Sequence, residues 1–199
     1  MAAVFSTAKA GGLIDEKPEA VIDATGFESR YTSRYYVWRQ GRRRHRRSRW
    51  PKLTLGCHSE TYLFAALVIS EGPSQDSPQF PEAVRQACRH LSIDRLLGDA
   101  GYDGEHNHRL AREELGVRST LIAVNKRTTR KWPRGRYRRP MKRRFPRRLY
   151  GHRWHIESAI SQTKRRLGPA LRSRTDSTRE SECMLRILTH DLMILRRAA

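Results

Sequence analysis

The spacing of four side chains near the end of the chain constrains its fold more than any other feature. At intervals of three, four and seven residues the sequence carries Tyr150, Arg153, Glu157 and Lys164. Residues 152–167 contain no Pro or Gly, so we predict a helix there. At about 3.6 residues per turn the four side chains share one polar arc of roughly 80°, beside an apolar arc that can be buried. A solvated helix face with an i,i+4 Arg–Glu pair would produce the same local pattern.

Two further carboxylates follow short apolar runs. Asp23 lies within the run AVIDATG, and Asp99 follows LLG and precedes a Gly turn. Acidic residues are depleted in strands, so two strand-end Asp residues and the helix-borne Glu157 suggest a common purpose. Three converging carboxylates repel one another unless divalent cations neutralise them. Oxygen-only ligands of this kind suit Mg²⁺ or Mn²⁺.

These motifs, taken in order, resemble a known family of enzymes. The segments VIDATGFE and LLGDAGYD, followed by the Tyr-Arg-Glu-Lys helix, are similar to the catalytic motifs of DDE transposases of bacterial and archaeal insertion sequences. The insertion-sequence-four/five group is the best match, and the resemblance runs from about residue 21 to the C-terminus. It implies an α/β fold, an RNase H-like mixed sheet with flanking helices.

The resemblance also implies roles for individual residues. Asp23, Asp99 and Glu157 would be the catalytic residues and the ligands of two Mg²⁺ or Mn²⁺ ions. Arg153 and Lys164 would contact DNA near the scissile phosphate, and Tyr150 would support that site. The implied reaction is cleavage of a transposon end by water, followed by attack of the 3′-hydroxyl on target DNA. The implied partners are terminal inverted repeats, target DNA and a second copy of the chain in an active homodimer.

Charge agrees independently with a nucleic-acid partner. Lys and Arg number 41 against 20 acidic residues, which gives a net charge of +21 and an isoelectric point near 11.1. The excess is concentrated in residues 42–49 and 126–148. For the first block we favour a solvated segment with non-specific phosphate affinity. The second leads into the Glu157 helix, so we expect it beside substrate DNA. Its predicted DNA contacts are Lys131, Trp132, Arg143 and Arg144.

The remaining periodicities predict the order of elements. We expect residues 1–20 to form an approach segment, with Asp15, Glu16 and Glu19 solvated, and residues 21–199 to form the catalytic domain, with a basic loop at about 126–148. We predict strands at 21–24, 53–58, 62–70, 96–98 and 120–124, and helices at 81–91, 106–115 and 182–196. The last helix places four leucines on one face, a spacing typical of a core: Leu185, Leu188, Leu192 and Leu195.

Several other functions are disfavoured. The longest apolar run, residues 63–69, is too short to span a membrane, and no signal peptide is evident. The three cysteines form no paired motif, which indicates a cytoplasmic protein that resides with DNA in the nucleoid. The His106–His108 and His152–His155 pairs lack the partners of a zinc site. Asp103 is expected to cap the following helix rather than to bind a metal.

Two alternatives remain open at this point. Only 22 residues precede Asp23, whereas such transposases usually carry a longer helical region there, so we expect an N-terminally truncated chain or a region supplied by a separate reading frame. An inactive remnant would act only as a basic DNA-binding protein. A host nuclease of the same fold would share the metal site but would make only hydrolytic cuts.

Overall fold

The computed structural model describes residues 1–29, 50–125 and 132–198. Its strands are Glu19–Gly26 (β1), Glu28–Ser29 (β2), Trp50–His58 (β3), Phe64–Gly72 (β4), Arg95–Gly98 (β5), Ser119–Ile122 (β6) and Ala170–Leu171 (β7). Its α-helices are Ala2–Ala10 (α1), Phe80–His90 (α2), Glu105–Arg109 (α3), Arg138–Arg143 (α4), Arg147–Tyr150 (α5), Trp154–Leu167 (α6) and Asp176–Ala198 (α7). One π-helical turn, Leu110–Glu114, continues α3.

Five strands form one mixed sheet in the order β4-β3-β1-β5-β6. The β1–β3 and β3–β4 pairs are antiparallel, whereas the β1–β5 and β5–β6 pairs are parallel. A second, small sheet pairs β2 with β7. Three antiparallel strands followed by alternating helices and parallel strands are the layout of an RNase H-like fold, so the predicted fold class is confirmed.

Helices cover both faces of the sheet, because successive side chains of a strand point to opposite sides. Ile22 of β1 packs into a cluster with residues of α1 and α2. Its neighbour Val21 packs into a second cluster, which includes Ile156 of α6 and Ile187 of α7. The strand that carries Asp23 is therefore the buried centre of a three-layer structure.

The local predictions from periodicity agree well with the observed elements. The hairpin predicted at residues 53–70 is β3 and β4, and the helix predicted to begin at Pro81 is α2. The helix predicted at 106–115 is α3 with its π-helical continuation. The chain leaves it at Gly116, whose φ of +73° is a left-handed conformation that favours glycine.

The segment before β1 is more structured than expected. Residues Ala2–Ala10 form a helix that buries Val4 and Phe5 in the core. Asp15 and Glu16 are exposed, but the prediction that Glu19 is solvated is wrong. Glu19 begins β1 and is buried, with ion pairs to Arg95 at 2.9 Å and to His152 at 3.0 Å. Two basic side chains at the end of a strand can therefore bury a carboxylate that the sequence alone places in solvent.

The face assigned to the core of α7 is also wrong for most of its length. Leu185 and Leu192 are more than half exposed and Leu188 is also exposed, whereas Leu195 is partly buried. The buried face of α7 combines apolar and polar side chains: Cys183, Arg186, Ile187, His190 and Asp191. Leucine spacing identified the helix but not the side on which it packs.

The second basic block is partly helical rather than a plain loop. Its described part contains α4 and leads directly into α5 and a 3₁₀ turn, Gly151–Arg153, before α6. Residues 42–49, and Lys131 of the second block, lie outside the described residues. Within the described ranges, no helix is long and apolar enough to cross a membrane.

Candidate active site

The sheet places the two predicted catalytic Asp residues side by side. The last parallel pair between β1 and β5 is Ile22 with Gly98, and Asp23 and Asp99 follow directly on the two strands. Carboxyl ends of neighbouring parallel strands meet at one edge of a sheet, which is the usual position of a site in such folds. The Asp99 carboxylate accepts a hydrogen bond from the Ala100 N–H and caps a short 3₁₀ turn.

Helix α6 brings Glu157 to the same edge. Its apolar arc packs on β1 and β3 and buries Ile156, Ala159 and Thr163, which agrees with the helix predicted from the sequence. Arg153, one turn before Glu157, connects the helix to the sheet. Its Nη1 donates to Asp23 Oδ2 at 3.1 Å, and its Nη2 donates to Glu157 Oε1. One guanidinium therefore bridges the two carboxylates.

The carboxylates influence one another electrostatically. Burial raises the pKa of Asp23, and the negative charges of Asp99 and Glu157 raise it further. The Ala24 N–H, at 2.8 Å from Asp23 Oδ1, and the Arg153 guanidinium act in the opposite direction on that pKa. The three predicted acids thus lie close enough together for the charges of Asp99 and Glu157 to act on the partly buried Asp23.

Tyr150 belongs to the same group of side chains. Its hydroxyl is half-buried, and burial is the main cause of its raised pKa. The charges of all three carboxylates raise that pKa as well, whereas Arg153 lowers it. Tyr150 ends α5, and the 3₁₀ turn that follows it directly ends at Arg153, so the two side chains are positioned by one continuous segment.

Lys164 secures the far end of the site. Its Nζ donates to Thr25 Oγ1 at 2.8 Å and to the Gly26 carbonyl at 2.9 Å, and it lies 5.3 Å from the centre of the Phe27 ring. Burial lowers the pKa of this ammonium group. Between α6 and the end of β1 lies a cleft of about 600 Å³, lined among others by Asp23, Glu157, Ser161, Lys164 and Arg165. The cleft is thus lined by both acidic and basic groups.

The donor set fits a divalent metal in chemistry. The three acids offer only oxygen atoms, and a hard cation relieves the repulsion that Asp99 and Glu157 exert on Asp23. In the described part of the chain, however, no three Asp, Glu, His or Cys side chains already form a metal-binding cluster. Arg153 occupies the space between Asp23 and Glu157, so a cation shared by those two residues must displace the guanidinium.

The other predicted DNA contacts lie on the basic segment, away from the carboxylates. Trp132 is 60% exposed, and the ammonium of Lys142 lies 5.1 Å from its ring centre. Arg143 and Arg144 are exposed and line a separate cleft of about 590 Å³. The structure does not bring these residues into the cleft beside Asp23 and Glu157.

Sequence reasoning misassigned one residue near the site. Asp103 does not cap α3, because its carboxylate is almost fully buried and accepts two hydrogen bonds from Arg138, at 2.7 and 2.6 Å. It also accepts a bond from the Asn125 N–H at 2.9 Å. A pair separated by 35 residues leaves no local signal in a sequence.

Comparison with known proteins supports the same interpretation. A family model described as the transposase DDE domain matches residues 15–192, about nine-tenths of the 199-residue chain. A search of curated proteins found no match. The family match implies DNA binding and an enzyme of the nucleotidyl-transfer type. With two acids at adjacent strand ends and the third on the facing helix, this chain belongs to the transposase DDE domain family.

Proposed function

We propose that this protein is a metal-dependent DNA transposase of an insertion sequence. In this proposal it cleaves a transposon end by in-line attack of water and then joins the exposed 3′-hydroxyl to target DNA. One observation carries the proposal: Asp23 and Asp99 follow paired residues of parallel strands, and Glu157 faces Asp23 across a single guanidinium. The family match over residues 15–192 supports a transposase-like or nuclease-like reaction.

Within this proposal the three acids have one role and the neighbouring residues have others. Asp23, Asp99 and Glu157 would hold two Mg²⁺ or Mn²⁺ ions, which when bound supply charge neutralisation for the attacking and leaving oxygens. Arg153 and Lys164 would bind phosphate oxygens beside the scissile bond, since both basic groups flank the carboxylates. Tyr150 would orient Arg153 and the DNA backbone.

The finer features of the reaction extend the proposal. The substrates would be the terminal inverted repeats of an insertion sequence of the four/five group and a target duplex. The active form would be a homodimer, and its site of action would be nucleoid DNA. Support for DNA as the partner comes from the net charge of +21 and from the exposed arginines of the basic segment.

The test is Mn²⁺-dependent nicking of supercoiled plasmid by purified protein. We expect Asp23→Ala, Asp99→Ala and Glu157→Gln each to abolish nicking while DNA binding remains nearly intact, because each removes a carboxylate and leaves the basic surfaces in place. Glu114→Gln is the matched control, because Glu114 is exposed and this substitution removes the same charge at a position outside the proposed site. Nicking by the Glu157→Gln protein at the wild-type rate would contradict the assignment of this acid.

A second readout separates the proposed transposase from related proteins. The purified protein is incubated with plasmid and a labelled duplex that ends in a 3′-hydroxyl, and label joined to plasmid is measured. Joining supports a transposase, whereas nicking without joining supports a nuclease of the same fold. Tight DNA binding without nicking would support a remnant that only binds DNA.

A further inference from the structure

The second basic block is held on the protein by acidic side chains, of which Asp103 is almost fully buried. We call its described residues 132–148 the basic arm. Arg138 makes two hydrogen bonds to the Asp103 carboxylate, whose side chain is 1% exposed. The backbone N–H groups of Tyr137 and Arg138 both donate to the Glu105 carboxylate, at 3.0 Å. These bonds fix the backbone of the arm as well as one of its side chains.

A second set of contacts fixes the same region from α3 and its continuation. The Tyr137 hydroxyl donates to Glu113 at 2.9 Å. The guanidinium groups of Arg112 and Arg136 lie 4.6 and 5.3 Å from the centre of the Tyr137 ring. The arm is therefore docked in one position rather than attached only at its ends.

Some arginines of the basic arm pair with acids of the protein, whereas others lie together without acidic partners among the described residues. Arg139 and Arg143 are one turn apart on α4, and both are exposed, as are Arg134 and Arg144. Among the described residues, none of these four guanidinium groups has an acidic partner. With Arg136 they line the cleft of about 590 Å³ on the arm, which we call the arginine cleft. Like charges that line one cleft repel one another, and an anion in the cleft would relieve that repulsion.

The chemistry of the arginine cleft points to phosphate. A guanidinium group presents a planar fork of N–H donors that matches two phosphate oxygens, and several such groups in one cleft match a chain of phosphates. The cleft is also connected to the catalytic edge at two points. Asp103 stands four residues after Asp99, and Tyr150 follows Arg144 by six residues, with the Phe145 ring packed edge-on against it at 4.7 Å.

We propose that the arginine cleft is a second binding site for phosphodiester groups, outside the carboxylate site, and that it takes the backbone of duplex DNA. Asp103 and Glu105 are positioning residues that hold this cleft in place. The identification of the ligand as DNA rests on the proposed function, whereas the preference for a phosphodiester backbone rests on the cleft itself. The tests below measure binding, so they do not depend on strand cleavage.

The first test compares two double variants of the full chain. Arg139→Ala/Arg143→Ala removes two charges one turn apart on α4, and Arg85→Ala/Arg89→Ala removes two charges with the same spacing on α2, on the other face of the sheet. Affinity for a short labelled DNA duplex is measured by fluorescence anisotropy at several NaCl concentrations. Each phosphate contact contributes a slope of about 0.9 to the dependence of log K on log salt.

We expect the cleft variant to lower that slope by about 2 and to weaken binding at least about tenfold at a fixed salt concentration. The α2 variant should change both quantities much less. Equal changes in the two variants would overturn the proposal, because only net charge would then matter. Tighter binding of an RNA duplex than of DNA, lost in the cleft variant, would also overturn the assignment to DNA.

The second test concerns the positioning role. Asp103→Asn increases the net positive charge by one, so a purely electrostatic effect would tighten DNA binding. If Asp103 positions the arginine cleft, binding weakens and the salt slope falls instead. Asp94→Asn is the matched control, because Asp94 also holds an arginine through two bonds, at 2.5 and 2.6 Å, at the opposite end of β5.

Circular dichroism and thermal melting of both Asp variants establish that the fold is retained. Weaker binding by Asp103→Asn but not by Asp94→Asn supports the positioning role, and tighter binding by both overturns it. If the wild-type protein does not nick DNA, the proposed function fails, but the binding comparisons between the arginine variants and between the Asp variants remain valid. The two proposals can therefore fail separately.

Discussion

Arg153 illustrates how one side chain serves the site and the fold together. It was predicted to contact DNA, and in the structure its two terminal nitrogens hold Asp23 of the sheet and Glu157 of the helix. The guanidinium is partly buried and offsets part of the mutual repulsion of the acids. A residue with this geometry couples the position of α6 to the charge of the carboxylate site.

Replacement of Arg153 tests this electrostatic role. In Arg153→Gln the positive charge beside Asp23 is lost, so the pKa of Asp23, already raised by burial, should rise further. The measurement is a pH titration of carboxyl ¹³C shifts in aspartate-labelled protein. Arg166→Gln, which removes an exposed charge from α6, should leave the Asp23 titration unchanged. A pKa of Asp23 that falls or stays constant in Arg153→Gln would contradict the role.

The same residue affects stability in a defined direction. When the folded state raises the pKa of a carboxyl group, it disfavours the charged form of that group. The contribution of the group to the free energy of unfolding therefore falls as the pH rises from its pKa in the unfolded state to its pKa in the folded state. Arg153→Gln should therefore destabilise the protein more at pH 7 than at pH 4. This difference would accompany the change in the titration of Asp23.

At the level of elements, local patterns predicted the helices and strands better than their surroundings. The hairpin, α2 and α6 were predicted because their periodicity and turn residues lie close together in sequence. The packing of α7 was not predicted, since its buried polar residues find partners far away. Asp191 accepts from the Phe64 N–H at 2.9 Å across 127 residues, and His190 contacts the Tyr62 carbonyl at 3.1 Å.

In the candidate site, too, the sequence predicted the residues of local motifs but not the contacts between distant segments. Residue type, order and spacing predicted the three acids, Tyr150, Arg153 and Lys164, because each stands in a recognisable motif. The Asp103–Arg138 pair joins residues 35 positions apart, which no local motif records. The arginines of the cleft stand in the basic block recognised from the sequence, but the acids that hold that block were not predicted. The short helix before β1 went unrecognised because its small residues carry little periodic signal.

Asp191 provides a prediction for helix α7. Burial raises its pKa to about 8, and its second oxygen, Oδ2, has no hydrogen-bond partner among the described residues. Because the folded state favours the protonated form, this residue makes the free energy of unfolding fall as pH rises from about 4 to about 8. Asp191→Asn should reduce that slope and exceed the wild type in stability at pH 8 by about 1 kcal/mol.

Urea unfolding at pH 5 and at pH 8 measures this effect. The control is Asp176→Asn, an exposed acid on the same helix, which should alter stability little at either pH. If Asp191→Asn is less stable than the wild type by the same amount at both pH values, titration of this carboxylate does not contribute to the pH dependence of stability.

For the whole molecule, the dominant quantity is the uncompensated charge. A net charge of +21 on 199 residues opposes compaction, and several of the acids are already used as anchors for arginines. Exposed ion pairs contribute only about 0–1 kcal/mol each to the free energy of unfolding. Salt weakens these pairs, but this loss is small compared with the stabilisation gained when salt screens the repulsion between positive charges. The molecule should therefore be more stable when salt or a polyanion screens its surface.

The melting temperature in NaCl tests this balance. It should rise by several degrees between about 10 mM and about 150 mM NaCl, as the screening length falls from about 30 Å to about 8 Å. At low salt, Arg139→Ala/Arg143→Ala should melt at a higher temperature than Arg85→Ala/Arg89→Ala, because the first pair stands among the other arginines of the cleft. The two variants should converge at high salt, where local repulsion is screened. A wild-type melting temperature that falls with salt, or equal behaviour of the two variants at low salt, would show that the attractive ion pairs outweigh the repulsion within the arginine cleft.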